Sequence, residues 1–225
     1  MQSISKDWIP EVRPPGTAPL WKVPAMRLLM LEGAIIGFGW GSFDVAIPAA
    51  TTLVHHQSLS GPIFGALSLG TVLGGLVGGS VSRRVSSLKG MFVSYAAWAI
   101  SVIPLFFVRP SWYLIIVGLL IGFAGGPLQI YYWEVIEAVR PVGTAVSALA
   151  WIWAVEGTFA SLGSALSGSI AVRFGAQWSL AVTPIAILLG FSVLIAGRGV
   201  LKKADRRPSV EGDVEAISDI EDPAQ

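Results

Sequence analysis

Six long apolar runs, at about 26–53, 61–81, 91–108, 112–136, 144–172 and 177–196, leave this chain few ways to fold. At 1.5 Å of rise per residue, helices of roughly this length cross a hydrocarbon core of about 30 Å, the longest of them with some tilt. Composition agrees: 53% of residues are hydrophobic and 13% charged, with a mean hydropathy of +0.69, where a soluble domain carries roughly 25% charged residues. The expectation is an all-α membrane protein with the lipid bilayer as its main surroundings. Residues 1–25, with Lys6, Arg13 and Lys22 among Pro10, Pro14, Pro15, Pro19 and Pro24, read as a cytoplasmic lead-in or linker. Residues 26–197 hold the bundle. Residues 198–225, basic at first and then acidic, read as a disordered cytoplasmic tail. The first apolar run is too long for a signal-peptide core and lacks a small-residue cleavage site, so it reads as a retained span.

Lysine and arginine alternate by loop. Lys6, Arg13, Lys22 and Arg27, then Arg83, Arg84 and Lys89, then Arg140, then Arg198, Lys202, Lys203, Arg206 and Arg207 share one side, and only Arg109 and Arg173 lie on the other. Thirteen against two places both termini in the cytoplasm of a multi-pass cell-membrane protein. Six crossings independently require the termini to share a side. Nothing in this charge pattern suggests nucleic acid. With no cysteine, and with His55 and His56 as the only histidines, no metal or cofactor is expected. The serine–glycine pairs Gly41-Ser42 and Gly163-Ser164 have no histidine at membrane depth, so an intramembrane hydrolase is not expected either.

The run Ile36-Gly37-Phe38-Gly39-Trp40-Gly41 returns as Ile121-Gly122-Phe123-Ala124-Gly125-Gly126. Three apolar runs separate the start of one copy from the start of the next, and an odd number of crossings inverts the second copy, giving a 3+3 inverted repeat. The segment 61–68, ending Ala66-Leu67-Ser68, parallels 143–150, ending Ala148-Leu149-Ala150, and Gly79-Ser80-Val81 with Arg84 parallels Gly168-Ser169-Ile170 with Arg173. The offset grows between these two matches, so the fifth span carries about two extra turns.

The order of these features resembles the major facilitator superfamily, specifically the C-terminal six-helix half of a member, over about residues 27–198. Gly78-Gly79-Ser80-Val81-Ser82-Arg83-Arg84 is similar to that family's G-x-x-x-D-R-x-G-R-R loop signature, with Ser82 in place of its Asp and Val85 in place of its second Gly. The run 137–151, followed by Glu156-Gly157 and 163–168, is similar to the tenth-to-eleventh helix region of bacterial members that resemble drug exporters. The resemblance implies that the first and fourth spans line a central cavity, the second and fifth flank an opposing half, and the third and sixth face lipid. It implies transport of a small-molecule substrate by alternating access, with proton-coupled efflux as one form. It also implies a second six-helix half, from a homodimer or a separate N-terminal half. The alternative is a truncated or regulatory membrane subunit without transport activity.

Within this frame a few residues stand out. Asp44, past the midpoint of the first span, reads either as a proton-coupling or cation-recognition group or as a hydrogen bond between helices. Glu156 reads as a coupling group between halves or as a structural hydrogen bond. Gln129, Tyr131 and Tyr132 follow a proline-interrupted glycine segment, where inverted-repeat transporters place binding groups. Trp40 reads as a stacking surface for a flat or cationic ligand or as a core tryptophan. Glu32 reads as an interfacial ion pair with Arg27. Gly37, Gly39, Gly41, Pro48, Gly122, Gly125, Gly126 and Pro127 are candidates for helix packing and hinges. Gly78, Arg83 and Arg84 carry the cytoplasmic loop motif.

Overall fold

The computed structural model describes residues 18–53, 55–82, 85–107 and 112–205. The expected lead-in before residue 18, the loop arginines Arg83 and Arg84, and the tail from residue 206 onward lie outside the described residues. The described chain forms six long helices: α1 (Pro24–Leu53), α2 (Ser60–Ser82), α3 (Ser87–Val102), α4 (Tyr113–Val139), α5 (Ala145–Phe174) and α6 (Ala176–Ala204). Short 3-10 turns at Leu20–Lys22, Gln57–Leu59 and Ile103–Phe106 complete the secondary structure. All six long elements, α3 together with its 3-10 extension, are long and apolar enough to cross a membrane.

Local chemistry sets the ends. Pro104 lacks the N–H a helix needs, and α3 tightens there into the 3-10 turn Ile103–Phe106. Arg140, the residue before Pro141, is extended (φ −65°, ψ 146°) and ends α4. The α5–α6 turn is a single residue, Gly175 at φ 96°, a conformation that costs a side chain with a Cβ. α6 was expected to stop near residue 196 but continues to Ala204. Nothing in 197–204 interrupts a helix: Leu201 is buried, Arg198 lies over the Phe92 ring at 5.5 Å, and Gly197 makes room for Leu28. Residues 198–204 are therefore helix and not part of a disordered tail.

α1 and α4 occupy the middle of the bundle. α5 and α6 pack on α1, α2 and α3 pack on α4, and α3 meets α6 across the centre. This arrangement maps onto itself when the two halves of the chain are exchanged, as an inverted repeat requires. The contacts give the register. A Cβ at Gly37 would strike the Glu156 carbonyl, and one at Gly122 the Leu67 carbonyl; Gly41 likewise meets Ala160, and Gly126 meets Thr71. Gly37 and Gly41 thus correspond to Gly122 and Gly126, while Glu156 and Ala160 correspond to Leu67 and Thr71. This overturns the match of 61–68 with 143–150, because Leu67 pairs with Glu156 and not with Leu149. Gly79 and Gly168 keep the register of the contacts. α5, at 30 residues against 23 for α2, extends beyond its counterpart at both ends.

The core forms along one stripe of α1, where Met26, Leu29, Ile36, Phe43, Ile47 and Ala50 are fully buried, together with Tyr95 and Trp98 of α3 and Tyr132 of α4. α2 and α5 are the least covered helices, with Leu69, Val72 and Leu76 on one and Leu162 and Leu166 on the other exposed. α3 and α6 each bury one face and expose Val93 and Ile100, or Ile185 and Leu189, on the other. In an apolar medium these exposed rows cost nothing, and the close glycine contacts supply the packing that holds the helices together.

Candidate functional site

Gln129 and Trp133, one turn apart on α4, face Trp153, Glu156 and Gly157 of α5 across a pocket of about 270 Å³. α4 and α5 do not pack along their length, so the pocket opens between two helices that are each anchored elsewhere. α5 is fixed by α1, where Gly37 lies under the Glu156 backbone. That contact leaves the Glu156 side chain, half-buried, to reach the pocket. Trp133 and Trp153 lie side by side with ring centroids 6.5 Å apart and planes at 33°. A Cβ on Gly157 would meet no atom within 4 Å, so this residue leaves the pocket floor open. Glu156 makes no ion pair among the described residues. The site thus brings together one carboxyl, one carboxamide and two indole rings, that of Trp153 largely exposed.

The remaining candidates are spread out. Asp44 is exposed in a separate groove of about 420 Å³ with Val45, Pro48, Ala49, Thr52, Ala171 and Val172. Ala171 lies fifteen residues beyond Glu156 on α5, roughly 22 Å along the helix, so the two carboxyls do not meet. In the repeat register Asp44 nonetheless corresponds to Gln129, each three residues past the second matched glycine, Gly41 or Gly126. Tyr131 is buried against Gly90 of α3, and Tyr132 donates from Oη to the Leu29 carbonyl at 2.7 Å. Both fasten α4 to its neighbours and neither joins Gln129 in its pocket. Trp40 is half-buried and rests on Trp98, centroids 5.4 Å apart, again away from that pocket.

The glycine and proline candidates separate by what they face. Gly37 and Gly41 meet α5, and Gly122 and Gly126 meet α2, each at backbone contact; Gly39 faces Ile187 of α6, and Gly125 faces the Trp98–Trp40 pair. Pro48 and Pro127 both sit inside unbroken helices. Pro127 cannot donate to the Phe123 carbonyl, and that carbonyl lies against Gly74 of α2. Gly78 packs directly on Pro127, so within the loop motif it has a packing contact, while Arg83 and Arg84 lie outside the described residues. The serines of the two Ser–Gly pairs are bound to backbone: Ser42 donates to Phe38 at 2.7 Å and Ser164 to Gly41 at 2.9 Å.

Glu32 departs most from expectation. Instead of pairing with Arg27, which is exposed, it is completely buried. Its Oε2 accepts a 3.2 Å hydrogen bond from Tyr95 Oη, and Oε1 has no partner among the described residues. Arg27 lies five residues back, nearly half a turn off the Glu32 face. The sequence held a signal for this: Glu32 continues the stripe of Met26, Leu29, Ile36 and Phe43 at helical spacing.

Six membrane-length helices wound as an inverted repeat, with Gln129 and Glu156 meeting in one pocket between apolar helices, define a polytopic carrier-type bundle. The family model for the Major Facilitator Superfamily matches residues 29–219, and the chain belongs to that superfamily of membrane transporters. No curated protein and no solved structure matches it.

Proposed function

We propose that this chain is one six-helix half of a secondary carrier that moves a small solute by alternating access, with the Gln129–Trp133–Trp153–Glu156 pocket contributing to the solute path. The observation that carries the reading is the meeting of Gln129 and Glu156, which separate sequence arguments single out, in one open pocket between α4 and α5. A buried or half-buried carboxyl at membrane depth that no cation neutralises is expensive unless it is used. The superfamily match supports transport. The similarity of 137–168 to bacterial exporters favours outward movement, and proton coupling would fall to Asp44 or Glu156. The lysine and arginine distribution favours cytoplasmic termini. The rest of the path comes from a second six-helix half, supplied by another copy, a separate chain or further residues.

Reconstitution tests this. Purified protein in vesicles, alone and with a candidate second half, is expected to show solute flux that responds to an imposed proton gradient. Glu156→Gln and Gln129→Ala are expected to reduce that flux at least about tenfold with unchanged insertion. Absence of flux and of ligand binding in every combination would sink the carrier reading and leave a membrane subunit without transport activity.

A further inference from the structure

We infer that the groove between α2 and α3, at the end of the bundle where α2 and α6 finish and α3 begins, is a site for one anionic phospholipid, with an acyl chain along the groove and the phosphate at Lys89. The groove follows from two glycines. α2 docks on α4 with Gly78 against Pro127, and α3 docks one turn further along α4 with Gly90 against the Tyr131 ring, while α2 and α3 hardly touch each other. The space left between them is about 310 Å³, lined by Pro127 and Tyr131 of α4 and by Val77, Val81 and Val93, all three of which are exposed. Val77 lies five residues before the end of α2, roughly 8 Å, so the groove runs from the helix ends inward to the depth of upper acyl chains. Lys89 is the only charged side chain lining it among the described residues, and it makes no ion pair among them. One turn from Lys89 stands Phe92, whose ring carries Arg198 of α6 at 5.5 Å, so a second cation flanks the same helix end. α2, α3 and α6 contain no acidic residue. Glu134 of α4 does not line the groove and accepts a hydrogen bond from Ser87 Oγ at 2.7 Å. Apolar walls ending at an unpaired lysine fit an amphiphile with a negative head. A zwitterionic lipid would bring a cation of its own towards Lys89 and Arg198, and a second copy docked about a two-fold axis would set these cations against their own counterparts.

The test is native mass spectrometry of the full chain released from detergent micelles that contain equal amounts of phosphatidylglycerol and phosphatidylcholine, where the mass of each retained lipid identifies it. The wild type is expected to hold one phosphatidylglycerol, preferred over phosphatidylcholine at least about tenfold. Lys89→Gln removes the charge and leaves the groove, and should cut that preference about fivefold. Val93→Trp adds bulk at an exposed wall position, and should release the lipid while the circular dichroism of the helices stays unchanged. Arg173→Gln, an exposed cation at the last turn of α5 and away from the groove, should change nothing. Glycerol 3-phosphate, which has the head and no chains, should not displace the lipid. Equal retention of the two lipids would overturn the anionic class, and displacement by glycerol 3-phosphate would overturn the role of the groove. A preference that survives both Lys89→Gln and Val93→Trp would overturn the inference by placing the lipid elsewhere. So would a chain that retains no lipid, and so would a lipid-free dimer that Val93→Trp breaks, which would assign the groove to a second copy.

Discussion

At the scale of single residues, Glu32 poses the sharpest physical problem, since a carboxyl with one hydrogen bond and no cation beside it among the described residues is completely buried. Tyr95 holds it from α3, and Gly190 of α6 leaves the space that the Tyr95 hydroxyl occupies. Removing the carboxyl should therefore open a cavity and strand that hydroxyl, at a cost of about 2–4 kcal/mol. Glu32→Gln keeps an oxygen for Tyr95 and should cost less than about 1 kcal/mol. Thermal unfolding of Glu32→Ala and Glu32→Gln in detergent checks this, and equal losses would show that the Tyr95 bond is not what holds the residue. Tyr132→Phe removes the bond to the Leu29 carbonyl and nothing else, and should lower stability by only about 0.5–1.5 kcal/mol by the same measurement. Sequence reasoning weighed Glu32 by its nearest charge in the chain. Helical phase, which puts Arg27 outside and Glu32 inside, decides the outcome.

At the scale of elements, glycine spacing was legible and glycine partners were not. The four-residue steps Gly70-Gly74-Gly78 and Gly37-Gly41 announce close helix contact, and the contacts are there, against backbone carbonyls at Gly37, Gly41, Gly70 and Gly74 and against Pro127 at Gly78. Gly61 and Gly65 show the same spacing and face open space. Only the neighbour distinguishes them. Substitution should separate the two classes: Gly41→Ala and Gly122→Ala push a methyl into a carbonyl of the opposite helix and should each cost about 1–3 kcal/mol. Gly65→Ala and Gly75→Ala meet nothing within 4 Å and should be neutral or stabilising by up to about 1 kcal/mol. Uniform behaviour across the four, in thermal unfolding of the detergent-solubilised protein, would mean that the α1–α5 and α2–α4 contacts are not those described. The repeat was visible in the α1 and α4 glycine clusters because both copies make the same contact. It was misread at the start of α5, because the extra residues there shift the local likeness of 143–150 out of the register that the contacts impose. The pocket was half legible: Gln129 and Glu156 stood out as polar residues in apolar runs, whereas Trp133 and Trp153 looked like any membrane tryptophans until their rings were seen together.

At the scale of the whole molecule, the inverted repeat and the distribution of basic residues make separate statements about how the chain crosses the bilayer. Three crossings from α1 to α4 oblige the two interior helices to run in opposite directions, and only then does exchanging the halves bring α5 on α1 into the place of α2 on α4. The lysines and arginines say which side is which. A sequence without cysteine allows both statements to be tested with single substitutions. His56, in the α1–α2 turn, and Lys89 and Lys203, near the start of α3 and the end of α6, are all exposed. In right-side-out vesicles a membrane-impermeant maleimide should label His56→Cys at once, and Lys89→Cys and Lys203→Cys only after the membrane is opened. The reverse pattern would keep the fold and invert the protein in the membrane. Labelling of His56→Cys and Lys89→Cys from the same side would contradict the crossing of α2 and with it the antiparallel relation of α1 and α4 on which the repeat depends.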